Sequence, residues 1–231
     1  MDFKHDLKSE NKILLLEGSD DCHVVMHLCV AHKVPKEFCI YNCEGHEEAL
    51  SKLDELLRYS RNERPNVIGI VLDTDKPEDN PSVTSRMDAV IDRLQKVCPD
   101  YEKHEDPDRQ GTIIPNVKGF PKIGIWLMPN NQDIGMLEDF LLNLAKAKAK
   151  TKTCDYEGSL NYAEECVDTA KSRNFTSFKE AYRAKAIIHT YLAWHKNPGT
   201  PFGTAIKAGT LATNNEPARQ FTNWLTRLFG E

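Results

Sequence analysis

Residues 67–79, VIGIVLDTDKPED, constrain the fold more than any other stretch of the chain. The apolar, β-branched beginning is typical of a strand that is buried on both faces of a parallel sheet. Asp73 and Asp75 follow where this strand ends. In open α/β sheets that edge holds ligands, because the loops diverge there and leave a crevice.

Two carboxylates this close repel each other, so they share a cation, bind a basic partner or raise one pKa. Mg²⁺ or Mn²⁺, which prefers oxygen ligands, is the cation that we expect to bind there. The alternative is that one aspartate caps the next helix while the other is solvated in a loop. The Asp-x-Asp pattern alone leaves both interpretations open.

The amino-terminal half alternates strands with amphipathic helices, which indicates a mostly parallel sheet flanked by helices. Strands are predicted at residues 12–16, 38–42, 67–72, 112–117 and 122–128, and the last two are candidates for a hairpin. Helices are predicted at residues 19–31, 46–59 and 83–97, from 135 onward, and at 159–172, 177–195 and 216–229. We therefore predict an α/β domain over residues 1–150 and a C-terminal α-helical appendage, residues 151–231, packed on it.

Further acidic residues fall near the same predicted edge. Glu17 ends the first strand, and Gly18 lets the backbone turn sharply before the helix that follows. Glu138 and Asp139 begin a later helix, where acidic side chains complement the helix dipole or reach a metal at the sheet edge.

The charge distribution suits an anionic substrate held beside a metal. Residues 1–140 contain 17 Lys and Arg against 27 Asp and Glu, whereas residues 141–231 contain 13 against 8. A basic half attracts polyanions such as nucleic acid, although ordinary solvated helix faces give the same count.

Other features predict the compartment and exclude some chemistry. The polar start lacks a signal-peptide core, no apolar run approaches the roughly 20 residues that span a bilayer, and seven scattered cysteines suggest free thiols. We predict a cytoplasmic protein without a membrane partner. The sequence has no GxxxxGK[ST] phosphate loop, so an ATP-driven step would need a separate ATPase.

Two segments resemble the Toprim domain, the topoisomerase-primase fold: LLLEG at residues 14–18 and GIVLDTD at residues 69–75. The later segments GIWLMPNN, GMLEDFL, NPGTPFGTAI and FTNWLTRLF resemble a family of uncharacterised Toprim-like proteins. That family is related in fold to OLD-type nucleases and to Toprim effectors found beside ATPases in antiphage systems. The second resemblance spans nearly the whole chain.

The resemblance implies a Mg²⁺ or Mn²⁺ site, with two metals possible, and a role for each acidic residue. Asp73 and Asp75 would hold metal, Glu17 would hold metal or transfer a proton, and Asp21 matches an additional acidic position. Glu138 could complete a second metal site. Near the developing negative charge, Lys185 is the predicted catalytic cation, and Arg183 is its competitor or a substrate-binding residue.

Three functional classes follow from this pattern. The leading one is a metal-dependent nuclease acting on DNA or RNA, either by itself or as a defence effector that a partner controls. The second is a non-catalytic Toprim scaffold that binds nucleic acid, nucleotide or protein; the third is phosphoryl or nucleotidyl transfer on a small substrate.

His23 and His27, spaced i, i+4 beside Cys22, could bind zinc, but we interpret them as structural. Gly199, Gly203 and Gly209 are interpreted as turn glycines within a connecting segment, residues 197–215.

Overall fold

The structure, a computed structural model, describes residue 7 and residues 10–35, 37–74, 82–102 and 106–230. Within them lies one five-stranded sheet with the order β2-β1-β3-β5-β4. All neighbours are parallel except β4 and β5, which pair antiparallel as the predicted hairpin. The strands are β1 Lys12–Leu16, β2 Cys39–Asn42, β3 Val67–Asp73, β4 Thr112–Ile114 and β5 Lys122–Met128. The α/β fold with a mostly parallel sheet is thus confirmed.

Helices cover both faces of this sheet. They are α1 Ser19–His32, α2 His46–Leu57, α3 Val83–Val97, α4 Leu137–Lys146, α5 Tyr156–Ser172, α6 Arg183–Ala193, α7 Phe202–Lys207 and α8 Glu216–Phe229, with a 3₁₀ turn at Glu180–Tyr182. Alternate strand residues point to opposite faces, so Ile13 and Leu15 pack with α2 and α3, whereas Leu14 and Leu16 pack with α1 and the later helices. Both faces of β3 are therefore buried, as its apolar sequence predicts.

The last helix is part of the core on one face of the sheet. Gly69 of β3 and Gly124 of β5 lie side by side in register, and a Cβ on either would come within 3 Å of the Leu228 side chain. The two glycines thus let α8 approach the backbone of the central strands closely. The core on this face joins residues from both predicted segments, 1–150 and 151–231.

The segment predicted as a connection, residues 197–215, contains helix α7. The interpretation of Gly203 as a turn glycine is wrong, because this residue lies in α7 where the helix crosses α1. A Cβ there would meet His27 Cδ2 at 2.8 Å and the His23 backbone oxygen at 2.9 Å. The sequence did not indicate this helix, because it is only six residues long and small residues interrupt its apolar pattern.

Two further findings concern the thiols and the membrane. All seven cysteines are free thiols. Among the helices of the described ranges, none has both the length and the apolar character needed to cross a membrane.

Candidate metal centre at the carboxyl edge of the sheet

Four carboxylates from four segments meet at one edge of the sheet. Glu17 follows β1 and Asp73 ends β3, and because these parallel strands are neighbours, their carboxyl ends lie together. Asp21 lies in the first turn of α1, and Glu138 lies in the first turn of α4. The charges of Glu17, Asp21 and Glu138 all act on Asp73. Asp75, the second residue of the predicted pair, lies outside the described residues.

Glu17 is held at the centre of this cluster by two donors. Its Oε1 accepts a hydrogen bond from the backbone N–H of Asp73 at 2.8 Å and lies 3.3 Å from Nδ1 of His46. On the other side of the imidazole, Nη1 of Arg86 lies 2.9 Å from Nε2 of His46. Since a guanidinium can only donate, Nε2 accepts and Nδ1–H donates to Glu17. The imidazole therefore orients the glutamate.

The sequence analysis did not identify His46 and Arg86 as site residues, although their positions after predicted strands indicate the carboxyl edge of the sheet. His46 begins the helix after β2, and Arg86 lies in the first turn of the helix after β3, so both sit at the carboxyl edge. Arg86 also donates from Nε to the Asp73 carbonyl at 3.2 Å. This arginine thus ties the imidazole to the end of β3.

Asp21 is buried and Asp73 is half-buried, and both carboxyl groups lie where little positive charge compensates them. Burial, and next the charge of Glu17, raise the pKa of Asp21 to about 8. Burial, then Asp21 and Glu17, raise the pKa of Asp73 well above its ordinary value, against the effect of the Leu137 N–H. That N–H donates to Asp73 Oδ1 at 3.0 Å. Gly18 leaves room for the cluster, because a Cβ there would lie 3.0 Å from Asp21 Oδ2.

Thr74 fixes the start of α4 against the end of β3. Its backbone N–H donates to the Gly135 carbonyl at 2.9 Å, and its hydroxyl oxygen accepts from the Gly135 N–H at 2.8 Å. The same hydroxyl lies 2.9 Å from the Met128 carbonyl, which can take its proton. This fully buried threonine thereby joins β3, β5 and α4 and places Glu138 at the edge.

Of the two predicted cations, Lys185 reaches the cluster. Its Nζ lies 3.0 Å from Oε1 of the buried Glu138. Burial alone would lower the pKa of Lys185, but the hydrogen bond and charge of Glu138 outweigh burial and raise it. Arg183 instead makes a bidentate ion pair with Asp168 of α5, and both N–O distances are 2.7 Å. Its pKa is raised by that hydrogen bond.

The carboxylates bind protein groups in this structure. Across the described ranges, no three His, Cys, Asp or Glu side chains are already arranged around a point where a metal ion would fit. Glu17 and Asp73 accept backbone N–H groups, and Glu138 pairs with Lys185, so ligation would require these side chains to exchange partners. His23 and His27, the alternative zinc residues, lie where α1 crosses α7.

Fold and site together describe an α/β protein with an acidic cluster at the carboxyl edge of its sheet. The chain belongs to the family described as "Protein of unknown function (DUF3226)", whose model matches residues 11–230. Comparisons with curated proteins and with solved structures give no match.

Proposed function

We propose that this protein is a Mg²⁺- or Mn²⁺-dependent phosphodiester-cleaving enzyme, a nuclease of the Toprim type. The observation that carries the proposal is the convergence of Glu17, Asp21, Asp73 and Glu138 at one edge. The raised pKa values of Asp21 and Asp73 support it, because they report negative charge that the protein itself leaves poorly compensated.

The donor set fits a hard divalent cation. Asp21, Asp73 and Glu138 offer carboxylate oxygens, and a doubly charged ion would relieve the repulsion that burial intensifies. Asp75 is proposed as a further ligand on its sequence position alone. When bound, such an ion neutralises phosphate charge and orients the leaving oxygen.

Glu17 is the proposed proton acceptor. The Asp73 N–H and the His46 imidazole both donate to Oε1, which fixes the carboxylate in one orientation. A fixed carboxylate at the edge can take a proton from an attacking water, a contribution of about 10²–10⁴-fold in rate for general bases. Arg86 supports this role by holding His46 in the donating tautomer.

Lys185 is the proposed catalytic cation. Half of its side chain is exposed, while its ammonium group already lies at the cluster. If the Lys185 ammonium left Glu138 and paired with a phosphate oxygen, its positive charge would lie beside the developing negative charge of the leaving group. DNA or RNA would be held by the basic carboxyl-terminal helices, with Arg183 as a proposed substrate contact.

Cleavage of supercoiled plasmid and of structured RNA, with Mg²⁺ or Mn²⁺ added, tests the proposal. We expect cutting by the wild-type chain and a loss of at least about 100-fold in Glu17→Gln, because a carboxamide cannot accept the proton. Glu48→Gln, which alters an exposed glutamate in the first turn of α2, is the matched control and should keep full activity. Equal loss in both variants would contradict the role of Glu17.

The second candidate is a non-catalytic scaffold that binds nucleic acid, nucleotide or protein at this edge. The ion pair between Lys185 and Glu138 favours it, because a lysine can neutralise a buried carboxylate without metal. Overexpression of the wild-type chain and of Glu17→Gln, alone and together with the product of a neighbouring gene, separates the two. A defence nuclease should harm the cell only when Glu17 is intact, whereas a scaffold should behave the same after Glu17→Gln.

A further inference from the structure

A basic pocket lies at the opposite end of the sheet from the carboxylates. Asn66 immediately precedes β3 and Lys122 begins β5, so the pocket faces the amino ends of the central strands. Strands of this length, at about 3.3 Å per residue, separate it from Asp73 by about 20 Å. The pocket has a volume of about 340 Å³, and the residues that matter for its chemistry are Arg61, Arg64, Asn66, Asn116, Phe120 and Lys122.

The lining contains three cations and no acidic residue. The neighbouring acids are engaged elsewhere: Asp100 pairs with Lys118 at 2.7 Å, and Glu37 pairs with Lys12 at 3.3 Å. Glu63 accepts a hydrogen bond from the Ser60 hydroxyl and does not line the pocket. The positive charge in the pocket is therefore left without a counter-ion among the described residues that line it.

Lys122 is partly desolvated and lies near a further cation, Lys12. Burial, and then the charge of Lys12, lower the pKa of Lys122. A bound anion would act in the opposite direction, because an opposite charge nearby favours the protonated amine.

Arg64 is held rigidly while several of its donors stay available. The guanidinium carbon lies 4.1 Å from the centre of the Phe120 ring, Nη2 donates to the Tyr59 carbonyl at 2.9 Å, and Nη1 donates to the Gly119 carbonyl at 3.4 Å. Its Nε is buried and makes no hydrogen bond to any of the described residues. A guanidinium has five N–H groups, so its bonding capacity is only partly used.

The walls of the pocket are fixed by backbone contacts. The Lys122 N–H donates to the Asn66 carbonyl at 2.9 Å, and the buried Tyr101 hydroxyl donates to the Pro121 carbonyl at 2.9 Å. The Arg61 side chain lies against Gly119, whose positive φ of 84° is a backbone conformation that suits glycine. The backbone around the pocket and the Arg64 guanidinium are thus fixed before any ligand arrives, which reduces the entropy lost on binding.

We infer that this pocket binds a phosphate group, separately from the carboxylate edge. Three cations and two amides converge on a space that is larger than one phosphate, so the phosphate would be part of a larger molecule. Arginine forks match phosphate oxygens in pairs. A phosphorylated small molecule and the backbone of a polynucleotide share this chemistry. The inference does not rest on the proposed nuclease function.

Titration with inorganic phosphate, followed by amide NMR at constant ionic strength and without divalent metal, tests the inference. We expect saturable shifts at Asn66, Asn116 and Gly119. Arg61→Gln should weaken phosphate binding at least fivefold, because it removes one charged donor. Arg58→Gln, an exposed arginine at the end of α2, removes the same charge outside the pocket and should change binding less than twofold.

The source of the phosphate is decided by two further titrations, with a mononucleotide and with a short oligonucleotide. Tighter binding of the mononucleotide, weakened by Arg61→Gln, supports a small phosphorylated ligand. Tighter binding of the oligonucleotide, with a salt slope that falls by about one in Arg61→Gln, supports a polynucleotide backbone. Non-saturable shifts, or equal effects of Arg61→Gln and Arg58→Gln, would overturn the inference. Because no metal is added, this result stands apart from any cleavage assay.

Discussion

Replacing Asp21 by asparagine should stabilise the metal-free protein, although the aspartate belongs to the candidate site. The Asp21 carboxyl group is buried beside Glu17, and these two influences raise its pKa from 3.8 to about 8. The native state therefore binds a proton more tightly than the unfolded chain does. Between pH 4 and 8 the native state holds more protons, so the free energy of unfolding falls as the pH rises.

The magnitude follows from this pKa difference. At 1.36 kcal/mol for each pKa unit, the ionised carboxylate destabilises the native state by at most about 6 kcal/mol at pH 8. The asparagine amide must itself be buried, which costs about 1–3 kcal/mol where hydrogen bonds are imperfect. We therefore expect a net gain of at most about 3–5 kcal/mol at pH 8. Each kcal/mol raises Tm by about 2–4 °C in a chain of this size.

Urea denaturation from pH 4.5 to 8.5 in a chelator measures this effect. At the acidic end Asp21→Asn should be neutral or destabilising by up to about 2 kcal/mol, because the cost of burying the amide remains. Its stability relative to the wild type should then grow steadily towards pH 8, because only the aspartate can lose its proton. Asp92→Asn, which alters an exposed carboxylate of α3, should stay within about 0.5 kcal/mol at every pH. Destabilisation by Asp21→Asn at pH 8, or a gain that does not vary with pH, would refute the reasoning.

Three further predictions concern metal, catalysis and packing. Calorimetry should show Mn²⁺ binding that Asp73→Asn combined with Asp75→Asn abolishes, because the change removes two charges from a hard-cation site. Lys185→Met should slow any metal-dependent cutting at least about tenfold, since it removes the cation that we propose acts at the leaving oxygen, whereas Lys185→Arg should lose less. Gly124→Ala should destabilise the fold by about 1–3 kcal/mol in urea denaturation, because the added methyl group overlaps the Leu228 side chain.

Each of these predictions has an outcome that contradicts it. Unchanged Mn²⁺ binding by the doubly substituted chain would remove the aspartates from the metal site. Equal rates for Lys185→Met and the wild type would leave the lysine a structural partner of Glu138. For the packing prediction, a combined Gly124→Ala and Leu228→Ala chain should lose less stability than the sum of the single changes. Strict additivity would show that the two side chains do not meet.

The meeting of Glu17 and Asp73 could be predicted because each follows a strand in an alternating pattern. Parallel neighbours bring their carboxyl ends to one edge whatever the loop details are. The raised pKa of Asp73, however, has causes that the Asp-x-Asp pattern did not indicate. For Asp73 it comes from burial and from Asp21, Glu17 and Glu138, which belong to other segments.

The placement of the two cations could not be predicted from their spacing. Lys185 and Arg183 are two residues apart on α6, and side chains at that spacing point in nearly opposite directions on a helix. Only one of them can face the carboxylates. Tertiary packing turned Lys185 towards Glu138 and Arg183 towards Asp168 of α5.

The sequence by itself determined which segments form the strands of the sheet. Continuous runs of apolar, β-branched residues favour buried strands, and such runs can be recognised without knowing the tertiary structure. β3 is the clearest case, since its residues Val67–Leu72 are buried on both faces. Only the tertiary structure decided the partners of Glu17. The link from Arg86 through His46 joins residues 40 and 29 positions apart in the chain, and no local pattern records which distant side chains will meet. Hydrogen bonds across such separations depend on how the helices pack, so the tertiary packing determines them.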